Sequence, residues 1–495
     1  MELTGSHWIA GIEMPNASET FRVTCPLNQS KLSPAFAEGN QSVVDTAFAL
    51  ANKTFLSRPA REQLAVAFET AVRLLSESQD DLLKRAYRET GIDRRLMKGD
   101  WAQCRAQLIY WSTLLRNPAW FSETGVGKPG GAAAKIPFRA EFQPLGIVVC
   151  FPSSNVPFSF GPLGVDVVSA LAAGCPVVVK GHPLNAGTTE WQIRIMQAAL
   201  KEAEISQGYL SLVQGATPET SSLLVQHSAA AAVGFIGSHQ VAQVLRKLIS
   251  ERQRWIPLYG EDGGGANPTF VLPGALDQYE RISVELANAI TYGVGQFCTQ
   301  TGLVVVPRGD AGDKLVHSLC AEIRKVDPGT MLSNGTRGRY LSAVRDLDAI
   351  DGISTVASST AVANDSKTQV GAVLLETDIG TVSRNPQCLD ECFGPSAVVL
   401  RCDDNELEKA ARLIPAHLVS NIYGIEADQS RCLKLRSTLA KVAGRICWNE
   451  PFPNIVYLND AQQHGGGKET SVGHEAARRF AKRVALQGNW PTVSS

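Results

Sequence analysis

A multidomain α/β fold is predicted by three observations. The chain has 495 residues, short apolar runs alternate with helical segments twice along it, and its eleven cysteines are scattered without a Cys-x-x-Cys pair. The length exceeds what one simple core accommodates, so two or three domains are expected. A hydrophobic fraction of 44% is ordinary for a globular chain, and a net charge of −1 gives no global attraction to nucleic acid or anionic membrane. No apolar stretch approaches the roughly 20 residues of a membrane helix. Met1 to Gly11 lacks the basic-then-apolar order of a signal peptide, so a soluble cytoplasmic protein is expected. Cys150, in Ile-Val-Val-Cys-Phe, and Cys175, before Pro-Val-Val-Val, read as reduced core residues; neither a disulfide framework nor a metal site is expected.

The first ~125 residues read as mainly helical. Behind Pro59, the apolar positions Leu64, Phe68, Val72 and Leu75 recur at helical spacing. A second helix starts near Ser78, carries Asp80 and Asp81 in its first turn and stops at Gly91. Gly125 to Ala134 reads as a linker or exposed ribbon. Between Pro144 and Leu258, the runs Leu145–Phe151, Pro176–Val179, Tyr209–Val213 and Ala231–Ile236 alternate with helices, as in a parallel Rossmann-like sheet that gathers a nucleotide at its strand ends. A second alternation, from about Asn267 to Leu439, includes Leu303–Pro307, Val370–Leu375 and Ser396–Leu400. The tail from Arg478 to Pro491 reads as a returning strand that pairs across domains or subunits.

Chemistry concentrates at Cys298, in Tyr292-Gly293-Val294-Gly295-Gln296-Phe297-Cys298-Thr299, downstream of the acidic knot Gly260-Glu261-Asp262-Gly263-Gly264. A thiol in a polar, glycine-rich turn is placed to attack a carbonyl, and a nearby carboxylate to activate water against the resulting thioester.

Together with Ser154-Asn155-Val156-Pro157, the run Ala173-Gly174-Cys175-Pro176-Val177-Val178-Val179-Lys180 followed by Gly181-His182-Pro183, Phe235-Ile236-Gly237-Ser238 and Glu391-Cys392-Phe393-Gly394-Pro395, these motifs resemble the aldehyde dehydrogenase superfamily over nearly the whole chain. The branch most resembled contains α-ketoglutaric semialdehyde dehydrogenases and NADP-dependent fatty aldehyde enzymes. The resemblance implies the aldehyde dehydrogenase fold: a dinucleotide domain over 1–124 and 142–260, a catalytic domain over 261–440, and bridging or oligomerisation strands over 125–141 and 475–495. It implies Cys298 as nucleophile, Asn155 as the amide donor to the oxyanion, and Glu261 as general base. The usual Glu-Leu-Gly-Gly is here Glu261-Asp262-Gly263-Gly264-Gly265, so Asp262 stays open as an alternative base.

The same resemblance assigns cofactor contacts. Lys180, with His182 beside it, would meet the adenosine ribose, and Gly237 and Ser238 would present a helix start to the pyrophosphate. Glu391 would hold the nicotinamide ribose, with Phe393 supporting the ring. Both NAD and NADP stay open: Pro183 and Pro218 stand where a ribose-binding glutamate or a phosphate-binding arginine would be expected. The implied reaction is oxidation of an aldehyde, 2,5-dioxopentanoate or a related semialdehyde, through a cysteine thioester. A fatty or aliphatic aldehyde and a catalytically silent protein of the same fold are the alternatives. Phe158, the helix holding Arg105 and Tyr110, and the loop Glu450 to Asn454 are the expected pocket, with Arg105 a candidate partner for a substrate carboxylate. A homodimer or homotetramer is implied by resemblance alone.

Overall fold

The structure, a computed structural model, describes residues 2–15, 19–117, 122–127, 136–263, 265–450 and 475–488, with backbone alone for 122–127 and 261–263. Its first sheet has seven strands in the order Leu258–Gly263, Ala230–Ser238, Ile147–Phe151, Val177–Lys180, Leu210–Val213, His7–Ile9 and Ile12–Met14. The first five run parallel, and the two N-terminal strands close the edge antiparallel. Strand alternation divides the side chains between two covered faces. Val148, Cys150, Val177 and Val179 pack on one face under the helices Arg61–Glu77, Gln79–Thr90, Arg94–Leu115 and Ala186–Glu202. Ile147, Val149, Phe151 and Val178 pack on the other, under Gln41–Phe55, Pro218–Gln226 and His239–Ser250. Each such side chain, once buried, contributes about 1.5–3 kcal/mol relative to exposure.

The predicted helix behind Pro59 is Arg61–Glu77, and the one begun near Ser78 ends on Gly91 in the left-handed conformation (φ 68°) that closes a helix without steric cost. The edge strands His7–Ile9 and Ile12–Met14 are the strand part of a mainly helical N-terminal region. At three residues each they are too short to show a period, and the sheet edge beside Leu210–Val213 supplies their pairing.

A second sheet runs in the order Ser354–Ser358, Val373–Asp378, Ser396–Cys402, Thr301–Pro307, Asn267–Val271, His417–Tyr423 and Ala443–Trp448, parallel except at its first pair. The expected strand Val370–Leu375 is broken by Gly371 and Ala372 into two pieces that join different sheets. The tail strand Ala481–Gln487 pairs antiparallel with Ile136–Pro144, which in turn pairs with Ser122–Gly127. Residues 128–135 of the expected ribbon lie outside the described residues. No helix among the described residues is long and apolar enough to cross a membrane.

In the first sheet, chain order moves outward from Ile147–Phe151 to Leu210–Val213, then returns to place Ala230–Ser238 on the opposite side of Ile147–Phe151. That reversal is a topological switch point, and the crevice outside it, at the carboxyl ends of the strands, is where such sheets bind ligands.

Candidate active site

Asn155 and the Cys298 loop meet at this crevice. The strand Ile147–Phe151 runs into the turn that carries Asn155, whose Nδ2 donates to the carbonyl of Gln296 at 2.9 Å. The turn is fixed from two sides. Asp100 accepts from the Phe158 N–H at 2.9 Å and from the N–H and hydroxyl of Ser159 at 2.8 and 2.5 Å. Gln192 donates its Nε2 to the Pro157 carbonyl at 2.9 Å. Burial pushes the Asp100 carboxyl up to about 6 against the pull of these donors.

The loop before Cys298 is backbone-strained. Gly293, Val294 and Gly295 all adopt left-handed φ values near 60°, a conformation that costs a β-branched residue such as Val294 about 1–3 kcal/mol. Gly295 is required by close approach, because a Cβ there would stand 2.1 Å from the Gly394 carbonyl oxygen. Gln296 Oε1 accepts from the Leu332 N–H at 3.0 Å, and Gln300 Nε2 donates to the Cys392 carbonyl at 3.1 Å. The Cys298 loop and the Glu391–Phe393 loop are therefore bound to one another.

Cys298 is half-buried beside Tyr292, Phe297, Leu418, Val419 and Cys447. All eleven cysteines are free thiols. Burial pushes Cys175 and Cys392 up to about 11, which keeps those two protonated at neutral pH. Two cavities, of about 220 and 310 Å³, share Asn155 and Phe297 as walls.

At the far end of the crevice, Lys180 closes its strand only 7% exposed and donates Nζ to the Gly215 carbonyl at 2.6 Å; burial lowers its pKa to about 8. His182 accepts the Leu184 N–H at Nδ1, and burial with the Lys180 charge presses its pKa to about 3, so it stands neutral. Gly237 and Ser238 end the strand Ala230–Ser238, and the Ser238 hydroxyl caps the following helix by accepting from Val241 N–H at 3.4 Å. Asp390, whose backbone bridges to Gly265, lies within electrostatic reach of His239, and burial raises its pKa. Glu391 and Phe393 are partly buried beyond it, and burial raises Glu391 to about 7.

Residues 14–485 match the aldehyde dehydrogenase family. The chain is 31% identical to α-ketoglutaric semialdehyde dehydrogenase 2 of Azospirillum brasilense, across 98% of this chain and 95% of that one. It is 28% identical to the α-ketoglutaric semialdehyde dehydrogenase of Acinetobacter baylyi, over 98% and 94%. The chain belongs to the aldehyde dehydrogenase family. The same fold is present in betaine aldehyde dehydrogenase from Staphylococcus aureus, solved without cofactor (TM-score 0.85, 18% identity, 99% and 97% coverage). It is present again in that enzyme's complex with NAD+ (TM-score 0.84, 18% identity, 99% and 96% coverage).

The geometry also corrects the expected pocket of this aldehyde dehydrogenase. The 220 Å³ cavity takes Leu96, Asp100, Gln103 and Gln107 from the helix Arg94–Leu115, not Arg105 or Tyr110. Arg105 lies two positions round the helix from Gln103, and its guanidinium sits over the Trp101 ring at 4.7 Å. Phe158 is fully buried in the core, and its neighbours Val156, Pro157, Ser159 and Phe160 line the cavity instead. The expected loop residues 451–454 and the side chains of Glu261 and Asp262 lie outside the described residues. The backbone of these two acids pairs beside Ile236 and Gly237. Asn267, Gln296, Gln300 and Asp100 had no role in the sequence reading. Gln296 stands in the run before Cys298, and the Asn267-Pro268 pair follows a glycine run; these are the local signals for them.

Proposed function

We propose that this aldehyde dehydrogenase oxidises a semialdehyde, 2,5-dioxopentanoate or a near relative, to the carboxylic acid through a thioester on Cys298. The observation that carries this reading is the 2.9 Å bond from Asn155 to the carbonyl of Gln296, two residues before the thiol. It supports the reading by joining the amide donor to the loop that carries the thiol.

The residues fit a nicotinamide dinucleotide. Lys180 has one protein acceptor and two N–H bonds to spare, and Glu391 is a desolvated carboxylate suited to accept from hydroxyls. Lys180, His182, Gly237 and Ser238 would hold the adenosine and pyrophosphate, and Glu391 and Phe393 the nicotinamide end. When bound, the nicotinamide supplies the hydride acceptor.

The Cys298 thiolate adds to the aldehyde carbon. Asn155 Nδ2 exchanges the Gln296 carbonyl for the new oxyanion, a donor of the kind that contributes about 3 kcal/mol to the barrier. Loss of hydride leaves the acyl group on sulfur. Glu261, with Asp262 as the alternative, draws a proton from water, and the hydroxide formed cleaves the thioester.

A second reading, an aliphatic aldehyde, is favoured by the cavity wall. Its described lining is apolar apart from Asp100, Gln103, Gln107, Asn155, Ser159 and Tyr292, and it includes no Lys or Arg to meet a carboxylate. A homo-oligomer joined at the Ala481–Gln487 edge and a cytoplasmic location, in keeping with eleven free thiols, complete the proposal. The test is a screen of short semialdehyde acids against linear aldehydes, following reduced dinucleotide and free acid together. Acid formed from 2,5-dioxopentanoate with the highest kcat/KM is the expected result. Higher kcat/KM for uncharged chains selects the second reading, and CoA-dependent turnover without free acid overturns both.

A further inference from the structure

Lys180 does not stand alone at its end of the crevice. The Gly215 carbonyl that receives its ammonium belongs to the loop leading into the helix Pro218–Gln226. Glu38, from a segment remote in sequence and 7% exposed, approaches the same glycine: a Cβ built on Gly215 would stand 2.9 Å from Glu38 Oε1. The carboxylate accepts the Ala216 N–H at 2.8 Å, the Thr217 N–H at 3.1 Å, and the Thr217 and Thr220 hydroxyls at 2.8 Å each. Burial opposes its ionisation, but these donors outweigh burial and hold its pKa below the ordinary carboxylate value.

The donors in question are those an incoming phosphate would use. Backbone N–H groups and hydroxyls at a helix start form a ready anion site, and here a resident anion already fills it. On the turn after Lys180, Gly181 and Pro183 carry no charge and His182 stands neutral, so Lys180 is the one cation that turn offers. Burial opposes its charge, and Glu38, acting on it through space, favours it. A ribose with two free hydroxyls needs only neutral donors and acceptors. A 2′-phosphate would bring negative charge toward a carboxylate and find the Ala216, Thr217 and Thr220 donors already taken.

We propose that Glu38 makes this enzyme select NAD over NADP, by offsetting the charge of Lys180 and occupying the donors at the start of the Pro218–Gln226 helix. The proposal rests on the reading of Lys180 as the adenosine ribose contact. Calorimetric titration of the full chain with 5′-AMP and with adenosine 2′,5′-bisphosphate tests it without turnover. The expected result is binding of 5′-AMP at least about tenfold tighter, the scale of one partly screened charge a few ångström away. Glu38→Gln, with an unchanged melting temperature, narrows that ratio and raises kcat/KM for NADP relative to NAD. Where the variant does not fold, the wild-type ratio decides, and it shrinks as salt is raised. Equal or tighter binding of the bisphosphate to wild type overturns the role of Glu38 and leaves Lys180 at the ribose. An unchanged ratio in folded Glu38→Gln does the same. Failure of both nucleotides to bind overturns the Lys180 reading as well.

Discussion

Asn267 holds Cys298 by its backbone: Asn267 Nδ2 donates to the Cys298 carbonyl at 2.8 Å. The same amide nitrogen reaches the Gln300 carbonyl at 2.9 Å, and Asn267 Oδ1 accepts the Leu418 and Val419 N–H groups. One buried side chain thus satisfies four backbone groups and joins the Cys298 loop to two strands of the second sheet. Asn267→Ala would strand those groups at a cost of about 3 kcal/mol. A lower melting temperature, a lower kcat and an unchanged dinucleotide Kd are expected. Unaltered kcat would show that the loop holds its shape without this clamp.

The proposed nucleophile has a direct test. Cys298→Ala is expected to abolish oxidation while dinucleotide binding persists, measured by quenching of protein fluorescence. Asn155→Ala is expected to lower kcat by about 10²–10³, the loss typical of one oxyanion donor. Turnover near wild type in either variant removes that residue from the chemistry.

For the base, Glu261→Gln and Asp262→Asn are compared by rapid mixing. Glu261→Gln should retain a full burst of reduced dinucleotide and lose steady-state turnover, because water activation follows hydride transfer. The same pattern in Asp262→Asn instead would move the assignment by one residue.

Glu391 sets a pH dependence. Its pKa, raised by burial to about 7, means that folding favours the protonated form; that contribution is present below the ordinary carboxylate pKa and is lost as pH climbs through 7. Ribose hydroxyls favour the ionised form, so dinucleotide binding should tighten from pH 6 to pH 8 by about tenfold and then level off. Glu391→Gln flattens that profile, and a wild-type Kd independent of pH would contradict the assignment.

Asp100 positions the Asn155 turn through Phe158 and Ser159 and touches the cavity. Asp100→Ala is expected to lower kcat about tenfold or more, since small misplacements of reacting groups are costly. The dinucleotide Kd should stay as in wild type; a weakened Kd with normal kcat would assign Asp100 a purely structural role.

The sequence by itself determined the two α/β alternations, the stop at Gly91, the returning tail strand and the run around Cys298, because each is a local pattern of apolar period, turn residue or motif. It reached no further than local pattern reaches. Arg105 and Gln103 are both polar residues on one helix, and only packing of that helix against the Asn155 turn turned Gln103 to the cavity and Arg105 onto Trp101. Glu38 lies 178 residues from Ala216, and Asn267 lies 151 from Leu418; no spacing in the chain announces either bond. Such contacts form when separate elements bury unsatisfied backbone donors and must supply them with acceptors. That accounting is settled only once the sheets have stacked.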